Sequence, residues 1–451
     1  MLPTLDQLQE SLAHGQSTSL SLTQAALARI DDAAGEGAKA YTRVYHDQAL
    51  AAARASDILR AAGLARSPIE GLPISVKDLF DVAGETTLAG STALKGAPAA
   101  SSNAVVVQRL LNAGAIIVGK TNMTEFAFSG LGLNPHYGTP ASPWDRATRR
   151  IPGGSSSGAG VSVADGMSVA SIGTDTGGSV RIPSAFCGLA GFKPTARRVP
   201  AQGALPLSFS LDSIGPLAAS VSCCATLDGV LSGQALQVGP APEPARLRFA
   251  VPASLVLDGA DDHVSSIFQQ TLQELRRLGA QVDTVDFPEF GQLAHINRLG
   301  GLVCAEAWAW HKDLLQSKAA QYDPRVASRI ARGKDISAAD YIELIQRRPE
   351  WISAVQARLD HYDALLMPTV PVVAPTIQSL QASDEAYFQA NGLILRNPTL
   401  INFLDGCALS IPCHPAGTAP VGLMIAGPAM RDAHILRVGL ALEAALEPLR
   451  A

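Results

Sequence analysis

The chain has 451 residues, enough for one large domain or two to three ordinary ones. Apolar residues make up 47% and charged residues 17%, with mean hydropathy +0.16, so a packed core is within reach and a disordered chain is excluded. A net charge of −5 and a pI near 6.0 leave no basic footprint for nucleic acid, and no apolar run reaches the ~18 residues of a membrane span.

In chain order, residues 5–60 are predicted to hold two or three helices. Ser19 or Ser21 is placed to cap a run with apolar positions three and four apart (Leu22, Ala25, Ala26, Ala28, Ile30), and 47–62 forms an Ala-rich amphipathic helix. Residues 72–76 then read as a short strand, 103–113 as a helix ended by Gly114, and 115–118 as a buried strand. Helix 159–164 leads through Asp165 and Gly166 to strand 168–173. The Pro-rich stretch 237–246 reads as a surface connection, followed by strand 247–251, helix 263–278 and strand 281–285. Residues 290–362 are mostly helical, 364–367 is a strand, 420–427 an apolar segment, and 432–446 a final helix. Strands alternating with helices imply an α/β layer architecture, and strands on both sides of the Pro-rich stretch are expected to share one sheet.

The start, MLPTLDQLQESLAHG, lacks a basic segment followed by an apolar one, so a cytoplasmic chain is expected. None of Cys187, Cys223, Cys224, Cys304, Cys407 and Cys413 forms a CxxC, and they are expected to be free buried thiols. The nine histidines show no HxH or HxxxH pair, so no metal site is expected.

Three motifs compete for the chemistry. GAIIVGKT (114–121) matches the phosphate-loop pattern, which needs a strand before its first glycine and a helix from its lysine. Here a helix precedes Gly114 and 115–118 are strand-like, and amides held in a ladder cannot cradle a phosphate. GSSSG (154–158) fits a nucleophile elbow around Ser156, but the preceding ATRRIP (147–152) is no strand to carry it. A flexible linker also fits poorly, because an apolar helix follows and a second Gly/Ser cluster comes at 173–184.

In that cluster, GTDTGGSVRIPS, the chain turns through Thr176, Gly177 and Gly178 to Ser179, with Asp175 and Arg181 placed to pair across the turn. Backbone N–H groups unshielded by glycine suit an oxyanion hole, although a glycine turn with a satisfied serine fits these residues equally. Lys77, directly after strand 72–76, shifts the balance. If its stem is buried, its pKa falls and it becomes a neutral base, whereas a surface lysine at a strand end is the commoner fate. A serine needs such a base, and no histidine is well placed to serve.

GLPISVKD (71–78), PGGSS (152–156), GTDTGGSVRIP (173–183) and AFCGLAGFKP (185–194), together with 114–125, resemble the amidase signature family. The resemblance is strong over 5–225, weaker over 360–446, and slight over 245–355. It implies a Ser–Ser–Lys triad, with Ser179 as nucleophile, Ser155 as bridging serine after a cis peptide bond, and Lys77 as base. Thr176, Gly177, Gly178 and Ser179 would supply the oxyanion hole, with Ser156, Asp175 and Arg181 as support. Ser157 stands where many members have glycine, which implies altered loop packing with the chemistry intact.

The implied fold is α/β, a large mixed twisted β-sheet covered by helices over 63–451. An N-terminal helical segment spans 1–62, and a helical insertion lies around 290–360. The implied activity is hydrolysis of an amide C–N bond in a small apolar or aryl substrate through an acyl-enzyme, with urethanase, aryl acylamidase and esterase activity as extensions. No metal or cofactor is needed, and a cytoplasmic monomer or homodimer without nucleic-acid or membrane partners is expected. The alternative is the amidase component of a multisubunit tRNA-dependent amidotransferase. Met123, Phe126 and Phe128 are candidate pocket residues, and Trp308, Trp310, Trp351 and Tyr341 a candidate roof, with plain core packing open for each.

Overall fold

The computed structural model describes residues 2–234 and 238–450; Gln237, the first residue of the Pro-rich connection, lies outside them. Among the described residues, eleven strands form one mixed sheet. They are β1 (Tyr41–Val44), β2 (Pro73–Lys77), β3 (Ile116–Thr121), β4 (Ala170–Asp175), β5 (Ala190–Lys193), β6 (Ser213–Ala218), β7 (Arg248–Pro252), β8 (Gln281–Val285), β9 (Ala364–Pro368), β10 (Cys407–Pro412) and β11 (Gly422–Gly427). The order across the sheet is β1-β3-β2-β4-β6-β5-β10-β11-β9-β7-β8. Strands from both sides of the Pro-rich connection therefore share the sheet.

The central strands are buried along their whole length and are correspondingly rich in apolar residues. β2 runs parallel to both β3 and β4, and β4 to β11 continue as antiparallel neighbours through β6, β5 and β10. Helices bury apolar faces against the sheet; in the helix Asp262–Arg277 the buried stripe is Val264, Ile267, Phe268, Thr271, Leu272 and Leu275, at helical spacing.

The N-terminal segment is not wholly helical, because Tyr41–Val44 pairs with β3 as an edge strand. Its second helix, Ser19–Asp31, is capped by Thr18, whose hydroxyl accepts from the Ser21 N–H while the Ser21 side chain answers the Thr18 N–H. Ser21 is thus the third helical residue of the cap, and Ser19 already lies inside the helix. Residues 288–359 are mostly helical as expected, from Pro288–Ile296 to Ala338–Leu359. All six cysteines are free and buried. No helix among the described residues is long and apolar enough to cross a membrane.

Candidate active site

The parallel strands β2 and β4 end side by side, and their carboxyl ends carry Lys77 and Asp175. In parallel sheets this edge is where ligands bind. Lys77 is fully buried, and its Nζ lies 2.8 Å from Ser155 Oγ and 2.9 Å from Thr174 Oγ1. Burial pushes its pKa down to about 7, against the pull of the Asp212 and Asp175 carboxylates. Near neutral pH a large fraction of Lys77 is therefore uncharged.

Ser155 follows a cis Gly154–Ser155 peptide bond, and its carbonyl accepts from the Thr124 N–H at 3.0 Å. Ser156 and Ser157 open the helix Ser157–Ala164, and the Ser156 N–H donates to the Ser179 carbonyl at 3.3 Å, which joins the two glycine–serine clusters. No strand leads into Gly154, so the elbow around Ser156 is not formed. Ser157 is buried with its hydroxyl 3.4 Å from the Asn122 carbonyl, so the larger residue is accommodated. The phosphate-loop reading fails as expected: Lys120 lies inside β3, buried 3.3 Å from Asp78.

Asp175 organises the turn that carries Ser179. Its carboxylate accepts from the N–H groups of Gly178 (2.8 Å) and Val180 (3.1 Å), and from Arg181 Nε (3.0 Å) and Nη2 (2.9 Å). Burial alone would raise its pKa, but the Arg181 guanidinium, with Lys193 and Asn402, holds the carboxyl well below the usual carboxylate range. Because the Gly178 N–H is committed to Asp175, it is not free for an oxyanion; Thr176, Gly177 and Ser179 are the N–H groups left for that task. Gly178 instead answers a backbone need: its φ is +124°, and an added Cβ would sit 2.6 Å from both Ile182 and Pro398.

Ser179 lines a cavity of ≈ 220 Å³ together with Thr176, Gly177, Phe128, Leu207, Leu211, Leu302, Leu395 and Phe403. Phe128 is the one predicted pocket residue found there. Met123 and Phe126 lie in the core instead, where Phe126 meets His311 and Tyr322 at ring-centroid distances of 4.4 and 5.0 Å. Trp308, Trp310, Trp351 and Tyr341 do not line the cavity either; Trp351 is buried against Phe290 and Phe403. The roof is formed by Asn297, the start of the helix Gly301–Lys318, and Arg329 and Arg332.

Sequence reasoning missed Asp212 and Asn402. Asp212 is half-buried, accepts from the Leu207 and Ser208 N–H groups and from the Thr176 hydroxyl, and desolvation of its carboxyl pushes its pKa up to about 6. Asn402 donates to Asp175 at 2.9 Å and accepts from Arg181 at 2.6 Å. For Asn402 the available signal was its position as a lone polar residue in an apolar run, LINFL; Asp212, among the serines of SFSLDSIG, offers no such signal.

A model of the family described as Amidase matches residues 21–436. The chain belongs to the amidase signature family. Among curated relatives, it is 38% identical over 406 residues to a 2-amino-5-chloromuconic acid deaminase from Comamonas testosteroni, covering 88% of this chain and 86% of that one. It is 33% identical over 470 residues to a glutamyl-tRNA(Gln) amidotransferase subunit from Chloroflexus aggregans, covering 97% and 95%. A solved amidase crystal structure superposes with a TM-score of 0.88 at 33% identity, covering 98% of this chain and all of that one. As a member of this amidase family, the chain is a hydrolase acting on amide C–N bonds.

Proposed function

We propose that Ser179 is the nucleophile of this amide hydrolysis, with Ser155 relaying its proton to Lys77. The supporting observation is the buried Lys77 amine, near-neutral in pKa and 2.8 Å from Ser155, beside a glycine turn that opens Ser179 onto a cavity. Ser179 Oγ attacks the carbonyl carbon, and its proton passes through Ser155 to the neutral amine of Lys77. The Thr176, Gly177 and Ser179 N–H groups take the developing oxyanion. The same proton returns through Ser155 to the departing amine as the C–N bond breaks. Water, deprotonated by the same relay, then cleaves the Ser179 ester and releases the acid.

The substrate in this reading is a small amide with an apolar body, for which Leu207, Leu211, Leu302 and Phe403 provide the walls. Carbamates and esters present the same carbonyl to the same nucleophile. The chain acts alone, as a monomer or homodimer in the cytoplasm. A second reading, the amidase component of a tRNA-dependent amidotransferase, is favoured by the Chloroflexus amidotransferase relative, whose match covers 97% of this chain. Hydrolysis of a small amide by the isolated chain distinguishes the two.

The pH dependence tests the relay. Protonated Lys77 has no lone pair to accept a proton, so kcat/KM of the purified chain on a primary amide or anilide should rise with pH through a midpoint near 7. A flat profile across that range, or an ascending limb only near the ordinary lysine value of ~10.4, would contradict Lys77 as the base.

A further inference from the structure

The cavity that Ser179 lines is not purely apolar, because Arg329 and Arg332 share its wall. Three other arginines of the same helical region are paired, Arg325 with Asp384 at 2.7 Å, Arg347 with Glu343 at 2.7 Å, and Arg358 with Glu289 at 2.8 Å, while Arg298 and Arg348 bond only backbone carbonyls and do not line the cavity. Arg329 and Arg332 meet no carboxylate among the described residues. Arg329 donates to the Phe128 carbonyl at 2.5 Å and lies over the Phe128 ring at 4.3 Å, which fixes its place and leaves most of its five donors unused. Arg332 has one long hydrogen bond, 3.4 Å to the Arg298 carbonyl. Burial, with Arg332 adding to it, pushes the Arg329 pKa down, the mark of a cation without a counter-charge.

The backbone of the same wall adds to this positive field. The 18-residue helix Gly301–Lys318 begins in the cavity, with Gly300 through Cys304 all lining it. Gly300 and Gly301 both have positive φ, +118° and +65°, and a Cβ on Gly301 would collide with Asn297 Oδ1. The first-turn N–H groups of a helix lack partners of their own and carry partial positive charge.

We propose that the amide substrate carries a carboxylate, which Arg329 and Arg332 hold while Ser179 attacks the amide. This deepens the hydrolase reading and rests on it. A guanidinium fork matches a carboxylate with two parallel hydrogen bonds, and an anion supplies the counter-charge that half-buried Arg329 lacks, with the exposed Arg332 beside it at the cavity mouth. The cavity volume, about seven waters at ~30 Å³ each, suits a short chain whose apolar middle lies against Leu302, Leu395 and Phe403. The substrate class is the monoamide of a short dicarboxylic acid.

The test reads binding apart from turnover. Ser179→Ala protein is titrated calorimetrically with adipamic acid, with hexanamide as the neutral partner of equal length, and with inorganic phosphate at matched ionic strength. Adipamate should bind at least tenfold more tightly than hexanamide, and that ratio should fall toward one when Arg332→Gln is added. Arg332 is exposed, so this change spares the core; Arg329→Lys, which keeps a cation beside Phe128, should reduce the ratio in part. Equal binding of the two amides, a ratio unmoved by Arg332→Gln, no binding of either, or phosphate binding more tightly than adipamate would each overturn the proposal. Turnover by the wild type is measured in parallel: cleavage that persists in Ser179→Ala would sink the nucleophile assignment instead, so the two failures are distinguishable.

Discussion

Ser179→Ala is expected to lower kcat for amide hydrolysis by about four orders of magnitude or more, and Lys77→Ala by about two to four. The two differ because the hydroxyl forms the covalent bond, whereas the amine accelerates a proton transfer that water performs slowly. Their effects should not add: the double variant should resemble Ser179→Ala alone, since a relay without its nucleophile has nothing to deprotonate. Both variants should melt as single cooperative transitions. Near wild-type rates in Lys77→Ala would remove the lysine from the relay, and a double variant far slower than Ser179→Ala would mean the two residues act separately.

Asp175→Ala should produce the largest loss of stability in the site. Arg181 is 0% exposed, and without Asp175 its guanidinium keeps Asn402, the Pro398 carbonyl and the Met424 sulfur but has no counter-charge. Removing one partner of a buried ion pair costs about 3–5 kcal/mol, and here the Gly178 and Val180 N–H groups lose their acceptor as well. By comparison, Glu343→Ala breaks a half-exposed pair and should cost no more than about 1 kcal/mol. Urea denaturation of the two variants checks the difference, and equal midpoints would contradict it. Because the folded Asp175 carboxyl lies below its unfolded pKa, its contribution is present at neutral pH and is lost only in strong acid.

The sheet was legible where strands are apolar and of ordinary length, as in β2, β3, β4, β7 and β9. It was not legible where function or close approach put other residues in a strand. β6 carries Gly215 and Pro216 in its middle, the one because an added Cβ would run into the Phe192 carbonyl, the other without an N–H to give the ladder. β5 has four residues and ends on the buried Lys193, and β1 has four with Thr42 and Arg43 among them. The helix Asp384–Phe403, not anticipated from the sequence, contains Gly392 and Pro398, residues that disfavour a helix interior, and its buried Asn391, Asn397 and Asn402 all make hydrogen bonds that offset the cost of placing them there.

In the site, Lys77, Ser155 and Ser179 lie in dense local motifs and could be named from them. Asp212 and Asn402 reach the same turn from remote segments whose local sequence does not record the contact. The roof illustrates a different difficulty. Aromatic residues were the natural guess for an apolar lid, but Trp351 packs on Phe290 and Phe403 and Phe126 on His311 and Tyr322, away from the cavity. Two arginines and a pair of left-handed glycines occupy the wall instead, and nothing in local hydropathy distinguishes them from a solvated helix end.

The central claim, that Ser179 forms the covalent intermediate, is tested most directly by labelling. The wild type and Lys77→Ala are treated with a fluorophosphonate, and the modified peptide is located by mass spectrometry. One adduct on Ser179 is predicted, formed quickly by the wild type and much more slowly by Lys77→Ala, and absent from Ser179→Ala. An adduct on Ser156 or Ser155, or labelling of Ser179 at an equal rate without Lys77, would contradict the account.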